Sequence, residues 1–195
     1  MLTLDQGKRL VKLARAAIEN QLLGKALEFG AEKKEFSQAR GVFVTLNKWP
    51  SRQLRGCIGF PYPTKSLAEA VVESARAAAF FDPRFKPIEK KELDSITIEI
   101  SVLTVPEAIK VELKTLQESI KIGKDGLIVQ FHGFSGLLLP QVATEQKWNA
   151  LEFLRATCVK AGLPAEIWLN PTCKIYKFQA QIFSEKEPKG EVKEK

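Results

Sequence analysis

The order of helical and strand-like segments is the feature that most constrains the fold of this chain. Segments 41–49, 54–60 and 95–103 are rich in β-branched and aromatic residues or alternate apolar with polar residues, as strands do. The first two are separated only by a short turn and predict a hairpin, whereas a helical segment precedes the third. This irregular order predicts an α+β fold with largely antiparallel sheets flanked by helices, and it argues against a doubly wound parallel sheet.

Four capping-box patterns, starting at Thr3, Ser66, Thr115 and Asn149, predict where helices begin. In each pattern a Thr, Ser or Asn is followed three residues later by Gln or Glu, so that the two side chains can satisfy free backbone N–H groups of the first turn. The predicted helices cover mainly 4–29, with Gly24 and Gly30 as candidate stops, then 67–80, then a brief helix capped by Thr115 and Glu118, and then 150–161. Pro83 and Gly162 follow the helices at 67–80 and 150–161 and favour their termination.

The C-terminal half carries further strand signals. Segment 120–131 predicts a hairpin with its turn at Asp125–Gly126. The alternating segment 174–183 predicts a strand. The tail 185–195 is strongly charged, and its composition predicts disorder.

The composition excludes several classes of protein. No segment approaches the roughly 20 unbroken apolar residues of a membrane-spanning helix, and the N-terminal segment is amphipathic, so we expect a soluble, cytoplasmic protein with no membrane partner. Three cysteines without C-x-x-C spacing argue against a disulfide framework or a zinc site, and a single histidine excludes a multi-histidine metal centre. We therefore predict neither a metal nor a cofactor.

The net charge of +7 is compatible with nucleic-acid binding. The basic residues do not cluster, because the EKKE segments at 32–35 and 89–92 interleave both signs, and no nucleic-acid-binding motif is present. A mixed-charge surface, as found in heat-adapted proteins, is the favoured interpretation. Nonspecific binding of nucleic acid is the less favoured one.

The segment LRGCIGF at 54–60 raises the first functional question. Gly56 and Gly59 flank Cys57 and leave room for a ligand or another backbone to approach. Arg55 has the same strand parity as Cys57, so its guanidinium could lower the pKa of the thiol or hold a carboxylate or phosphate. The alternative is that Cys57 is a small buried residue and that the glycines allow a helix to pack on the strand.

Two further segments contain candidate site residues. The segment DPRFKP displays Asp82 and Arg84 in a loop stiffened by two prolines, which could carry function or could tie down a helix end. The segment LLLPQVATEQKWN contains Gln141, Glu145 and Trp148, which could line a polar pocket or form a helix cap with a half-buried indole.

A cysteine nucleophile normally needs a base. The single histidine, His132, lies in a predicted turn far from Cys57 in the sequence, and no pattern connects the two. A Cys57–His132 pair is therefore the least favoured form of a catalytic site, and Glu145 is the alternative proton acceptor.

In this order and spacing, these segments resemble the AMMECR domain family. LRGCIG looks like the hallmark motif of that family, and the similarity continues through AFFDPRF, EISVLT, GKDGLIV, LLPQVATEQKW and FLRATCVKAGLP, over roughly residues 3–183. The resemblance implies a single domain, 1–184, with two unequal subdomains and a cleft between them. The larger subdomain would comprise about 1–106 and 171–184, the smaller about 107–170, and strand 174–183 would return to the first sheet.

The resemblance also suggests site residues. Arg55 and Cys57 are the polar members of the hallmark motif, Asp82 and Arg84 match a D-x-R-F element, and Glu145 and Trp148 match an LP-x-V-A-x-E-x-x-W element. Gln141 stands where some relatives have an acidic residue, which argues against a catalytic acid at this position. His132 matches no element of the family.

The family has no established reaction, so whether this chain is an enzyme stays open. Its prokaryotic members are associated with Memo-like and radical-SAM proteins, which are the protein partners that the resemblance suggests. We expect a small, anionic ligand to bind in the cleft near the LRGCIG motif, and the alternative is a protein-interaction module that uses the LRGCIG surface. Catalysis would depend on Cys57 and Glu145. The expected ligand-binding residues are Arg55, Gly56, Gly59, Asp82, Arg84, Gln141 and Trp148.

Overall fold

The chain forms two units, each built around its own antiparallel sheet. The computed structural model describes residues 1–195, apart from the side chain of Leu113. A large unit comprises Met1–Leu103 and Gln181–Lys195, and a small unit comprises Thr104–Ala180. The predicted α+β class with antiparallel sheets is confirmed.

The large unit contains three α-helices and five strands. They are α1 (Leu4–Leu22), α2 (Glu32–Glu35), β1 (Val42–Lys48), β2 (Leu54–Phe60), α3 (Leu67–Phe80) and β3 (Ile96–Leu103), with a 3₁₀ helix at Lys90–Ser95. Two further strands of the large-unit sheet are formed by the C-terminal segment, at Ala180–Glu185 and Val192–Glu194. Three of the four predicted capping boxes are formed, and two of these start α1 and α3. The box predicted at Thr115 is not formed, because the Thr115 hydroxyl donates to the carbonyl of Glu112 and the next 3₁₀ helix begins at Gln117 without a side-chain cap.

Helices α1 and α3 cover one face of the large-unit sheet. Alternate residues of β1, Val42, Val44 and Leu46, are fully buried on this face, as expected for a strand with one face in the core. The partners of β1 on either side are β2 and β3, so β2 lies at the edge of the sheet. The LRGCIGF segment is therefore an edge strand, which is hydrogen-bonded to another strand on one side only.

The small unit contains four strands and two α-helices. They are β4 (Glu107–Ala108), β5 (Gly126–Phe131), β6 (Phe134–Leu138), α4 (Pro140–Glu145), α5 (Ala150–Lys160) and β7 (Lys174–Phe178), so the two C-terminal strands of the large unit are β8 and β9. Short 3₁₀ helices occupy Leu113–Thr115, Gln117–Ser119 and Ile167–Leu169. The strand order is β4-β7-β5-β6, and α5 packs on β5 and β6 around a core that includes Phe153, Leu154 and Trp168.

The predicted strand 174–183 is wrong as a single element. It is two strands, because β7 belongs to the small-unit sheet and β8 to the large-unit sheet. The break lies at Gln179, whose N–H and C=O groups both bond to Thr104, at 2.9 Å each. The boundary of the smaller unit is consequently at Ala180 and not near 170.

The predicted hairpin at Asp125–Gly126 is also wrong. Asp125 closes a turn by accepting a hydrogen bond from the backbone N–H of Lys121 at 3.0 Å, and residues 120–124, the expected first arm of the hairpin, form no strand. The hairpin instead joins β5 and β6, and its turn is His132–Gly133, where both residues have positive φ.

Two terminal predictions need correction. Helix α1 ends at Leu22 and not at 29, because Gly24 adopts a positive φ of 65° that ends the helix. The C-terminal tail is ordered, because β9 pairs with β8 and buries Val192. Lys189 adds an ion pair with Asp94.

Among the described residues, no helix has both the length and the apolar character to span a membrane.

Candidate functional site

Cys57 lies at the outer edge of the large-unit sheet. It stands opposite Thr45 of β1, but its backbone N–H donates to Asp82 Oδ2 at 2.9 Å and its carbonyl accepts from Arg84 Nη2 at 3.1 Å. Cys57 and Thr45 thus form a non-hydrogen-bonded pair, in which side chains approach most closely. The backbone groups that an edge strand would leave free are occupied by two side chains of one loop.

That loop follows α3 directly, and its two charged residues form a clamp on β2. Asp82 is buried, and it also accepts hydrogen bonds from Arg84 N at 3.1 Å, Nε at 2.9 Å and Nη2 at 2.7 Å. The hydrogen bond from Arg84 holds the pKa of Asp82 well below its usual range, against the opposing effect of burial, and the N–H of Cys57 adds to the decrease. The same bond raises the pKa of Arg84.

Arg55 is buried against the segment that follows the clamp. Its Nε and Nη2 bond to the two carboxylate oxygens of Glu92 at 2.8 and 3.1 Å, and Nη2 also bonds to the carbonyl of Lys86 at 2.9 Å. The hydrogen bond from Arg55 lowers the pKa of Glu92. Nη1 is buried and has no partner among the described residues. Arg55 therefore positions this segment on β2, and its direct contact with a ligand stays a prediction.

Both glycines of the hallmark motif have packing reasons. A Cβ on Gly56 would lie 2.1 Å from the carbonyl oxygen of Ala78 in α3. A Cβ on Gly59 would lie 2.3 Å from the carbonyl oxygen of Val42. Each contact is closer than any real Cβ makes, so only glycine allows α3 and β1 to pack this tightly on β2. This is the packing alternative that the sequence left open.

The side chain of Cys57 belongs to a row of three functional groups. Thr45 Oγ1 donates to Cys57 Sγ at 3.3 Å, and Thr45 pairs in register with Glu99 on the next strand, β3. A thiol, a hydroxyl and a carboxylate thus follow one another across three strands on one face. Glu99 also forms an ion pair with Lys195. Sequence reasoning missed Thr45 and Glu99, although both sit at polar positions of predicted strands.

The other two cysteines have thiols that are harder to ionise. Burial raises the pKa of Cys158, with a smaller contribution from Cys173, to about 11. Burial also raises the pKa of Cys173. Of the three cysteines, Cys57 is the one whose sulfur accepts a hydrogen bond from a neighbouring hydroxyl.

The remaining predicted site residues lie in the small unit. Gln141 and Glu145 are on α4, where Glu145 is exposed and Gln141 is half-buried with its Oε1 unbonded among the described residues. Trp148 packs in part against the small-unit core. His132 is exposed at the β5–β6 turn, with its ring edge-to-face on Phe131.

The structure thus divides the predicted residues between two units. The clamp and the hallmark motif lie together in the large unit, and the α4 residues lie in the small unit. In the part of the chain that the structure describes, no cluster of three or more His, Cys, Asp or Glu side chains could hold a metal ion.

Comparisons with known proteins agree with the motif pattern. The AMMECR1 family model matches residues 11–183. The chain is 50% identical over 196 residues to Protein MJ0810 of Methanocaldococcus jannaschii, covering 100% of this chain and 98% of that one. It is also 50% identical over 197 residues to Protein MK0488 of Methanopyrus kandleri, covering 100% and 95%.

A solved structure has the same fold. The crystal structure of uncharacterized protein PH0010 from Pyrococcus horikoshii superposes with a TM-score of 0.91 at 47% sequence identity, and the match covers 98% of this chain and 97% of that one. The shared fold thus covers nearly the full length of both chains, as the sequence matches do. The chain belongs to the AMMECR1 family.

Proposed function

We propose that this protein binds a small anionic ligand at the face of β2 that carries Cys57, with Arg84 as the cationic anchor. The observation that carries the proposal is that the guanidinium of Arg84 is both held in place and exposed. Its guanidinium is fixed by Asp82 and by the carbonyl of Cys57, yet 53% of its side chain is exposed. A cation held in one orientation loses little conformational entropy when it binds an anion, which favours affinity.

The charge of Asp82 does not cancel this attraction at the surface. Its side chain is only 1% exposed, and its oxygens accept hydrogen bonds from Cys57 and Arg84. The accessible part of the pair is therefore the guanidinium, which can bind a carboxylate or phosphate through charge-assisted hydrogen bonds.

Catalysis at this site would depend on the thiol of Cys57. Thr45 donates a hydrogen bond to the sulfur and so orients the thiol. Glu99, the next member of the row, is in the same unit but is paired with Lys195, whereas Glu145, which the sequence suggested as proton acceptor, belongs to the small unit. The site is thus proposed first as a binding site and second as a cysteine-dependent catalytic site.

The test is a titration of the wild type and of Arg84→Gln with inorganic phosphate, short mono- and dicarboxylates and mononucleotides, followed by calorimetry. Arg155→Gln is the matched control, because Arg155 also pairs with a carboxylate, Glu166, and is 46% exposed. We expect Arg84→Gln to weaken binding by about 10- to 100-fold, which corresponds to one charge-assisted hydrogen bond, and the control to bind as the wild type does. A wild type that binds none of these anions would refute the proposal.

A protein-interaction surface is the second candidate function. Phe81, directly before the clamp, is 70% exposed, and Leu54 at the start of β2 is 39% exposed. Such side chains would contribute to a contact surface if they form one contiguous apolar patch. The Memo-like and radical-SAM proteins that the family suggests are the partners to test, with purified proteins. Loss of partner binding in Phe81→Ser but not in Arg84→Gln would favour this function over anion binding.

A further inference from the structure

The small unit carries a polar depression of about 250 Å³ that has no part in the proposed anion site. Its charged lining comprises two acidic residues, Glu107 and Asp125, and two lysines, Lys121 and Lys177. The depression includes Asp125 of the GKDG motif, which does not form the hairpin turn that its sequence predicted. Its opposite charges distinguish it from a surface that would attract a simple anion or a simple cation.

Asp125 is the buried acceptor of this depression. Only 2% of Asp125 is exposed. Its two carboxylate oxygens accept hydrogen bonds from neutral donors, which are the backbone N–H of Lys121 at 3.0 Å and Gln179 Nε2 at 3.4 Å. The second distance is at the long limit for a hydrogen bond. An ionised carboxylate has about four acceptor positions, and burying it without a cationic partner is unfavourable. Asp125 is therefore suited to accept from a cationic group of a ligand.

The two lysines supply the opposite charge. Lys177 stands opposite Glu107 in the β4–β7 register, and its Nζ donates only to the carbonyl of Ser119, at 3.4 Å. Neither Lys121 nor Lys177 forms an ion pair with a carboxylate in the described chain. Because an ammonium group has three donors, both side chains retain donors for a ligand.

We propose that this depression binds a small zwitterion of the α-amino-acid class. The ammonium group of the ligand would lie on Asp125, and its carboxylate would accept from Lys121 and Lys177. A ligand with a single charge would be repelled by the lining residues of its own sign. A zwitterion is complementary both to the two acidic residues and to the two lysines. The volume lies below the roughly 300–1,000 Å³ of pockets for drug-sized ligands, which limits the ligand to a small molecule.

The experiment is a ¹H–¹⁵N NMR titration of the full chain with each of the common L-α-amino acids. Acetate and methylammonium are titrated separately as single-charge probes. We expect at least one amino acid to shift the backbone signals of Lys121, Asp125 and Gln179 in a saturable manner, and neither single-charge probe to do so. The proposal is overturned if no amino acid binds at a concentration of about 10 mM, which corresponds to a binding free energy of only a few kcal/mol. It is also overturned if acetate alone binds as tightly as the best amino acid.

Two variants and a matched control locate the binding. Asp125→Asn keeps an acceptor for the N–H of Lys121 but removes the charge, and Lys177→Gln removes one cation; each should weaken binding at least about tenfold. Lys174→Gln on the same strand is the control, because Lys174 lines a different depression, and it should bind as the wild type does. If Asp125→Asn changes the fold, Lys177→Gln decides the matter, and unchanged binding by that variant contradicts the proposal.

Discussion

The substitution Asp82→Asn tests whether the clamp on β2 is an electrostatic device. In the wild type the buried carboxylate of Asp82 accepts one hydrogen bond from Cys57 and three from Arg84. An amide of the same size loses the charge and turns an NH₂ group toward one of these donors. A hydrogen bond to a charged group contributes about 1.5–3 kcal/mol, and breaking a buried ion pair costs about 3–5 kcal/mol.

The expected loss lies toward the lower end of these values. Asp82 is buried, but about half of the Arg84 side chain is exposed, so solvent screens the attraction between them. We therefore expect Asp82→Asn to lower the free energy of unfolding by about 2–3 kcal/mol at neutral pH. Urea denaturation followed by circular dichroism measures this difference.

The pH dependence of that loss is the sharper part of the prediction. The pKa of Asp82 is lower in the folded than in the unfolded chain, so its stabilising contribution is complete above the unfolded value of about 3.9. It is lost as the pH falls below that value toward the folded pKa. The difference between wild type and variant should accordingly stay constant from about pH 7 to about pH 5 and shrink as the pH falls further.

A carboxylate at the surface provides the control for this experiment. Asp94 also has a pKa lowered by a lysine, Lys189, but its side chain is 79% exposed. Asp94→Asn should change stability far less than Asp82→Asn, because water replaces the lost partner. A difference for Asp82→Asn that is absent at neutral pH, or that stays constant as the pH falls below about 4, would show that our account of the clamp is incorrect.

Two more predictions concern the hallmark motif. Gly56→Ala should destabilise the chain by about 2 kcal/mol or more, because the new methyl group meets the backbone of α3. Gly30→Ala is the control in the same denaturation assay, because its methyl group meets only the flexible end of a side chain. Cys57 should react first with an aromatic disulfide probe at mildly alkaline pH, Cys173 more slowly and Cys158 last, because burial raises the pKa of the latter two. Cys57→Ser should remove the fast phase, and a fast phase that persists in this variant would contradict the order.

Local interactions made the helix starts predictable. The capping boxes at Thr3, Ser66 and Asn149 all form, because each joins residues only three apart in the sequence. The end of α1 was less predictable: Gly24 stops the helix, but the apolar pattern alone continues beyond it.

The hairpin of β1 and β2 was predictable because its strands are adjacent in the sequence. Other strand partners were not, because their pairing joins residues far apart in the sequence. The segment 174–183 alternates without interruption, yet its two halves join different sheets at a break set by Thr104 and Gln179. The tail forms β9 for the same reason, since its order depends on pairing with β8 and on burial of Val192, which its composition does not reveal.

The sequence by itself determined which segments matter: it marked the hallmark motif and the D-x-R-F loop, and their order identified the family. Only the tertiary structure decided what each residue contacts. It buried Arg55 on Glu92, set Asp82 and Arg84 on the free backbone of Cys57, and added Thr45 as a neighbour of the thiol. The physical reason is that β2 is an edge strand, and the groups that cover an edge come from wherever the chain returns to it.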